Sequence, residues 1–218
     1  MKTAYFDCFS GASGDMIVGA LLDVGLKLDD LRDGLASLQL GGYSLRAERT
    51  TRAGFAATKF DVQIDDCHDH PHRNLGDITA MINASDLSDN VKKRACAVFQ
   101  RLAEAEAGVH GSDIESVHFH EVGAVDSIVD MVGAVLGLEL LGVERVACSP
   151  MRTGTGTIRC AHGLLPVPAP ATARLLVGFP VEPTDVKGEL TTPTGAAILT
   201  TLADSFGTMP RMTVSALG

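Results

Sequence analysis

The sequence predicts an α+β fold, with mixed sheets packed with helices, on three observations. Apolar residues recur at helical spacing in stretches such as 28–38 and 91–107. Short alternating runs at 43–49 and 55–64 are spaced as antiparallel strands. The resulting order, β-α-α-β-β-α-α-β-α-β-β-α-β-α, is no steady alternation, which argues against a purely doubly wound sheet. Residues 1–65 and 110–218 are candidate sub-units, joined by a His-bearing loop and helices over 66–109.

In chain order, residues 3–6 make a short buried strand, and D-C-F-S-G-A-S over 7–13 leads into a helix over 16–24. Ser13 is the expected N-cap. The free N–H groups of that first turn could receive a phosphate, or the turn is simply a capped helix start. Asp7 at the strand end and Asp15 in the first turn are placed to add carboxylates to a site. Gly25 closes the helix, and Leu28, Leu31, Leu35 and Leu38 form the core stripe of the next. The two strands that follow turn at 50–54. Their Arg46, Arg49, Arg52 and Lys59 make either a solvated hairpin or a phosphate-facing surface.

The tract D-D-C-H-D-H-P-H-R over 65–73 contains Pro71, which disfavours helix. Extended, it sets His68, His70 and His72 at alternate positions, with Cys67 as a further soft ligand, in a metal-gathering arm or a polar loop. Helices follow at 75–84, with Leu75, Ile78 and Ile82 inward, and at 91–107 after a cap at Ser85 or Ser88, ending at Gly108 and Gly111. A helix from 122 to 141 carries Gly133 and Gly137 for close backbone approach. Residues 145–148 form a strand, and Thr153, Thr155 and Thr157 alternate with glycines in another. Arg152 and Arg159 suit phosphate or carboxylate contacts, and Cys160 and His162 could face one site. A proline-started helix over 168–177, a strand at 189–190, a helix over 193–205 capped by Thr191 or Thr192, and a strand over 209–217 complete the chain.

Composition narrows the function. Hydrophobic residues make up 45% of the 218 and charged residues 21%, as in an ordinary globular protein. A formal net charge of −9 argues against nucleic acid as a partner. No apolar run is long enough to span a bilayer and the start lacks a signal peptide's apolar core, so a cytoplasmic protein with no membrane partner is expected. Five cysteines without a C-x-x-C pair indicate neither a disulfide framework nor a zinc knuckle.

The densest stretch is V-H-F-H-E-V-G-A-V-D-S-I-V-D over 117–130. An extended 117–120 places His118 and His120 on one face and Val117 and Phe119 on the other. A helix after Val122 projects Asp126 and Asp130 together, four residues apart, with Glu121 at the junction. Imidazoles and carboxylates in this pattern suit Ni, Zn or Mn rather than Ca or Mg. The plainer alternative is a packed histidine and a helix start favoured by acids.

Several runs together resemble the nickel insertion proteins of nickel-pincer cofactor biosynthesis, the LarC type. They are Y-F-D-C-F-S-G-A-S-G-D-M, the His-bearing loop at 67–73, the 117–130 stretch, S-P-M-R-T-G-T-G-T-I-R-C-A-H-G-L-L-P-V-P-A-P-A-T and E-L-T-T-P-T-G-A-A, in the family's order. The resemblance implies a lyase-class cyclometallase placing Ni(II) into pyridinium-3,5-bisthiocarboxylic acid mononucleotide. CTP is cleaved with Mg or Mn, and the product serves lactate racemase-type enzymes. For such a metal site the candidate ligands are His118, His120, Asp7, Asp15 and Asp130, with His68, His70 and His72 gathering nickel. Glu121 and Asp126 would be catalytic, and Ser10, Ser13, Gly14, Arg152, Thr192 and Thr194 would bind the nucleotide substrate.

Two departures shape the expectation. The histidine loop is sparser than in many relatives, so nickel loading should be weaker. Full-length relatives continue into a C-terminal CTP-binding domain, whereas this chain stops at Gly218, so a separate CTP-binding half is an expected partner of a homo-oligomer. Two competing functions stand beside insertion. One is a nickel-binding and delivery module without turnover. The other is a metal-dependent phosphohydrolase using Asp7, Asp15, His118, His120 and Asp126 around a metal-bound hydroxide.

Overall fold

The structure, a computed structural model, describes residues 1–65, 73–117, 119, 124–160 and 163–218. It opens with strand β1 (Thr3–Phe6) and helix α1 (Gly14–Asp23), which ends two residues before Gly25 at φ +113°. Helix α2 (Leu28–Ala36) buries Leu31 and Leu35, and Leu38 continues the apolar stripe beyond its end. Strands β2 (Tyr43–Arg52) and β3 (Phe55–Ile64) form an antiparallel ribbon. The alternation predicts a turn over 50–54, but two residues suffice. Ala53 and Gly54 both have positive φ, 49° and 85°, as a tight hairpin matching the strand twist requires. The ribbon's cations are largely paired: Arg46 with Glu48, Arg49 with Asp23, and Lys59 with Asp61 at 3.4 Å. That favours the solvated hairpin over a phosphate-facing surface.

Helix α3 (Leu75–Ala84) begins with reciprocal bonds: the Asn74 side chain accepts from Asp77 N–H at 3.0 Å, and Asp77 accepts from Asn74 N–H at 3.1 Å, each satisfying a donor the helix start leaves free. Asn74→Ala is expected to cost about 1 kcal/mol in urea unfolding. Helix α4 (Asp89–His110) is capped by Ser88, which accepts from Val91 N–H at 3.1 Å, and stops at Gly111 in the left-handed region. Gly108 does not end the helix as expected. It lies within α4, where a Cβ would come 2.5 Å from the Arg174 guanidinium. A 3-10 turn (Ile114–Ser116) follows, then helix α5 (Val125–Leu140).

The remainder alternates short strands and helices: β4 (Arg145–Cys148), β5 (Met151–Thr155), β6 (Thr157–Cys160), β7 (Gly163–Pro166), α6 (Pro170–Leu175), β8 (Val181–Lys187), α7 (Pro193–Leu202) and β9 (Ser205–Phe206). Three expectations are corrected here. The Thr/Gly run is two strands, because Gly156 at φ +91° turns the chain between them. Residues 189–190 are not a strand; the strand comes earlier, as β8, whose internal Pro183 and exposed side chains leave no buried alternation to read. Residues 209–217 alternate in sequence yet pair with nothing among the described residues, and a strand without a partner has no ladder to join.

The architecture is α+β, as expected. β1 pairs parallel with β4, and β4 with β9, in the order β1-β4-β9, while the remaining strands form two-stranded sheets. α5 is apolar nearly all round, and α1, α2, α4 and α7 pack on it, as a helix without a polar face demands. Gly137 lets α5 approach α1, since a Cβ would meet Leu26 at 2.9 Å and Leu21 at 3.0 Å. Val117 and Phe119 are buried, on the apolar side that the alternation assigns them. No helix among the described residues is long and apolar enough to cross a membrane.

Candidate functional site

Parallel strands direct their carboxyl ends at the loops that enter the following helices, and ligands collect there. In this protein that end is the 7–13 loop between β1 and α1. Ser149 N–H, just past β4, donates to the Phe6 carbonyl at 2.9 Å, and Cys8 N–H donates to Ser149 Oγ at 2.9 Å. Gly11 N–H returns to the Cys8 carbonyl at 2.9 Å. Gly11, at φ +87°, lies so near Leu190 that a Cβ would be 2.0 Å from its carbonyl oxygen. The loop leaves Asp7, Phe9 and Ser10 exposed.

The amino ends of α1 and α7 meet beneath this loop. Ala12 N–H donates to the Leu190 carbonyl at 3.0 Å, and Thr192 N–H donates to the Ala12 carbonyl at 2.9 Å. Gly14 N–H donates to Thr194 Oγ1 at 3.2 Å, Gly195 N–H to Thr192 Oγ1 at 3.3 Å, and the two hydroxyls lie 2.9 Å apart. Thr192 is thus the N-cap of α7. Ser13 occupies the N-cap position of α1, but its hydroxyl donates to the Asp15 carboxylate instead of accepting from the helix.

Asp130 takes the place a cap would have had. The Asp15 N–H bonds to its carboxylate, and a Cβ on Gly14 would collide with it at 2.6 Å. Asp126, one turn earlier on α5, is exposed and accepts Ser127 N–H at 2.8 Å. Burial first, then the negative charges of Asp15 and Asp126, push the Asp130 carboxyl up to about 8, since both disfavour the charged form. Its Oδ1 is buried without a hydrogen-bond partner among the described residues. A carboxyl so placed holds a proton near neutrality, and a divalent cation is the natural replacement for that proton.

Across the loop, Arg152 Nε donates to Glu182 Oε2 at 2.9 Å and Nη1 to the Phe9 carbonyl at 3.0 Å. Glu182 chiefly raises the guanidinium further, and Arg152 lowers the Glu182 carboxyl. The bonds use two of the five N–H groups. Beside Asp7, the Cys8 and Cys148 sulfurs are buried 3.5 Å apart. The hydrogen bond between them lowers the Cys8 thiol and raises that of Cys148, which burial raises further.

A model of the nickel insertion protein family matches residues 4–218. The chain belongs to the nickel insertion protein family. It is 51% identical over 218 residues to the pyridinium-3,5-bisthiocarboxylic acid mononucleotide nickel insertion protein of Desulfitobacterium hafniense strain DSM 10664 / DCB-2, covering 100% of this chain and 54% of that protein. The protein of the same description from strain Y51 is 50% identical, with the same coverage. The chain spans about half the length of these curated relatives. No solved structure matches it significantly.

In this family member the structure places Asp15, Asp126 and Asp130 in one electrostatic neighbourhood, with Ser13, Gly14, Thr192 and Thr194 around the joined helix ends. Asp7 and Arg152 lie along the 7–13 loop, and Ser10 is exposed on it. Among the described residues no three His, Cys, Asp or Glu side chains come together closely enough to hold a metal ion by themselves. His68, His70, His72, His118, His120 and Glu121, together with Cys67 and His162, lie outside the described residues. Sequence reasoning missed Glu182 as the partner of Arg152 and the Cys8–Cys148 contact. Neither pair has a spacing signal, since each is assembled by strand pairing between distant segments. The cavity lined by Lys93, Arg94, Glu144 and Asp204 lies at the opposite, amino end of the parallel sheet, away from Asp7.

Proposed function

We propose that this chain holds Ni(II) and the mononucleotide during nickel insertion into pyridinium-3,5-bisthiocarboxylic acid mononucleotide. The observation that carries this reading is Asp130: a buried carboxylate oxygen without a partner among the described residues, flanked by two further acids, in a chain that belongs to the nickel insertion family. His118 and His120 are proposed to complete the ligand set with Asp130, Asp15 and Asp7, an imidazole and carboxylate mixture suited to a late first-row cation. His68, His70 and His72 are proposed to gather nickel for it.

Nickel is the cargo here, so its ligands must release it. Two thiocarboxylate sulfurs, softer than the protein's oxygen donors, displace them as Ni–S bonds form. A Ni–C bond to the pyridinium ring requires loss of a ring proton. Glu121 is nominated as the base, with Asp126 on the neighbouring turn as the second carboxylate for proton removal. Arg152, Ser10 and the Ser13, Gly14, Thr192 and Thr194 group are proposed to hold the nucleotide. CTP, with Mg or Mn, is assigned to the half of the relatives' length that has no counterpart in these 218 residues. The lyase reaction then needs both halves, in a cytoplasmic assembly.

The test is a nickel titration of chelator-treated protein, followed by the thiocarboxylated nucleotide with and without CTP and a CTP-binding half. Binding of about one Ni(II) per chain, with transfer only when all components are present, is expected. Failure to retain nickel at all would overturn the proposal. A delivery module is the second reading, and nickel binding with no transfer under any combination would favour it.

Nickel uptake should also depend on pH. Binding must displace the Asp130 proton, so the apparent affinity is expected to rise about tenfold per pH unit and to level off above about pH 8. A flat profile from pH 6 to 8 in a competition titration would exclude Asp130 from the ligand set.

A further inference from the structure

Phe9 leaves 67% of its surface in solvent. One exposed apolar side chain is ordinary, and Phe55, beside the β2–β3 hairpin turn, is such a case. Phe9 differs in how its main chain is held. Its carbonyl accepts Arg152 Nη1, Cys8 N–H before it is tied to Ser149, and Gly11 N–H after it returns to the Cys8 carbonyl. The backbone is therefore fixed on both sides while the ring stays uncovered. It stands between Asp7 and the acid-lined start of α1, where Met16 adds a second exposed apolar surface.

Resting on the pyridinium nucleotide proposed above, we infer that Phe9 is the stacking platform for the planar, cationic ring of that substrate. A cation over an aromatic face is attracted by the ring's quadrupole. Asp7, on the same loop, adds a negative charge beside the cation. A platform whose main chain is already pinned loses little freedom when the ligand stacks on it. Arg152 joins the two ends of the ligand. One of its N–H groups holds the Phe9 carbonyl, and the N–H groups that no described residue takes up are available to the phosphate. In this scheme Phe9 orients the ring and takes no part in proton removal, so it is a positioning residue.

The experiment uses metal-free protein and the all-oxygen analogue of the nucleotide, pyridinium-3,5-dicarboxylic acid mononucleotide, compared with its ring-reduced, uncharged dihydropyridine form. Phe9→Ala is expected to weaken binding of the cationic form roughly tenfold and of the neutral form much less, with Phe9→Tyr retaining both. The chain has no tryptophan, so Phe9→Trp introduces a single reporter whose fluorescence the stacked pyridinium should quench. Equal binding of the cationic form by wild type and Phe9→Ala, or no quenching when Phe9→Trp is saturated, would overturn the platform while leaving the substrate reading intact. Equal losses for both ring forms would reduce Phe9 to a packing contact. If wild type binds neither form, the substrate reading fails and this inference with it. Circular dichroism of Phe9→Ala separates a lost contact from a lost fold, and the Phe9→Trp readout does not depend on that variant.

Discussion

Asp130→Asn should stabilise the metal-free protein, by an amount that grows as pH rises. The carboxyl ionises near its ordinary value of 3.8 in the unfolded chain and at about 8 in the fold. Between these values the folded state holds a proton that the unfolded state has lost. Stability therefore falls as pH increases through that window, the opposite of the usual salt-bridged aspartate. Each unit corresponds to about 1.4 kcal/mol, so the shift sets an upper bound of roughly 6 kcal/mol. Relaxation and water entry reduce this to about 2–3 kcal/mol, as for partly compensated buried charges. An asparagine keeps an oxygen for the Asp15 N–H and offers its amide to the neighbouring acids, without a charge to bury. Urea unfolding of chelator-treated protein at pH 5, 7 and 8.5 should give diverging midpoints, and parallel midpoints would mean Asp130 does not titrate as described. The same variant should lose nickel affinity at least tenfold, so greater stability and poorer loading would arise from one atom.

That trade is what a functional site predicts. A half-buried acid whose inner oxygen has no partner among the described residues, with two like-charged neighbours, is a poor choice for folding alone, and proteins keep such groups where a ligand compensates them. The i and i+4 spacing makes Asp126 and Asp130 legible as partners from sequence, because helical periodicity alone sets their common face. Asp15 is legible as a first-turn acid. What the sequence could not reveal is that Asp130 satisfies the first turn of α1 in place of Ser13, since that depends on how α5 packs across α1. The helices with strong periodicity and caps, such as 75–84 and the run after Ser88, lie close to where the pattern puts them. β8 escaped because its side chains face solvent. The 209–217 alternation misled because period two signals a strand only where a neighbouring edge exists.

Gly195→Ala should be among the most damaging single-methyl additions in the chain. A Cβ there would lie 2.2 Å from the Ala12 carbonyl oxygen, 2.4 Å from its carbon and 2.8 Å from the Ser13 nitrogen. All three are backbone atoms, so no side chain can rotate away, and α7 must slide from the loop that enters α1. The shift would break the Thr192 N–H bond to Ala12 and the Gly14 N–H bond to Thr194. Overpacking with loss of two buried bonds is expected to cost about 3 kcal/mol or more. Two other glycines calibrate the result. Gly25→Ala meets open space but must adopt φ +113°. The backbone alone is then expected to cost about 1–2 kcal/mol. Gly41→Ala meets neither obstacle and should be nearly neutral. The ranking in urea midpoints, Gly195 far below Gly25 and Gly25 below Gly41, separates close approach from backbone conformation as the reason for each glycine. If Gly195→Ala fell within about 0.5 kcal/mol of wild type, the range of an ordinary surface change, the joined helix ends would be loosely seated. They could not then hold Asp130 in register with Asp15 for a metal.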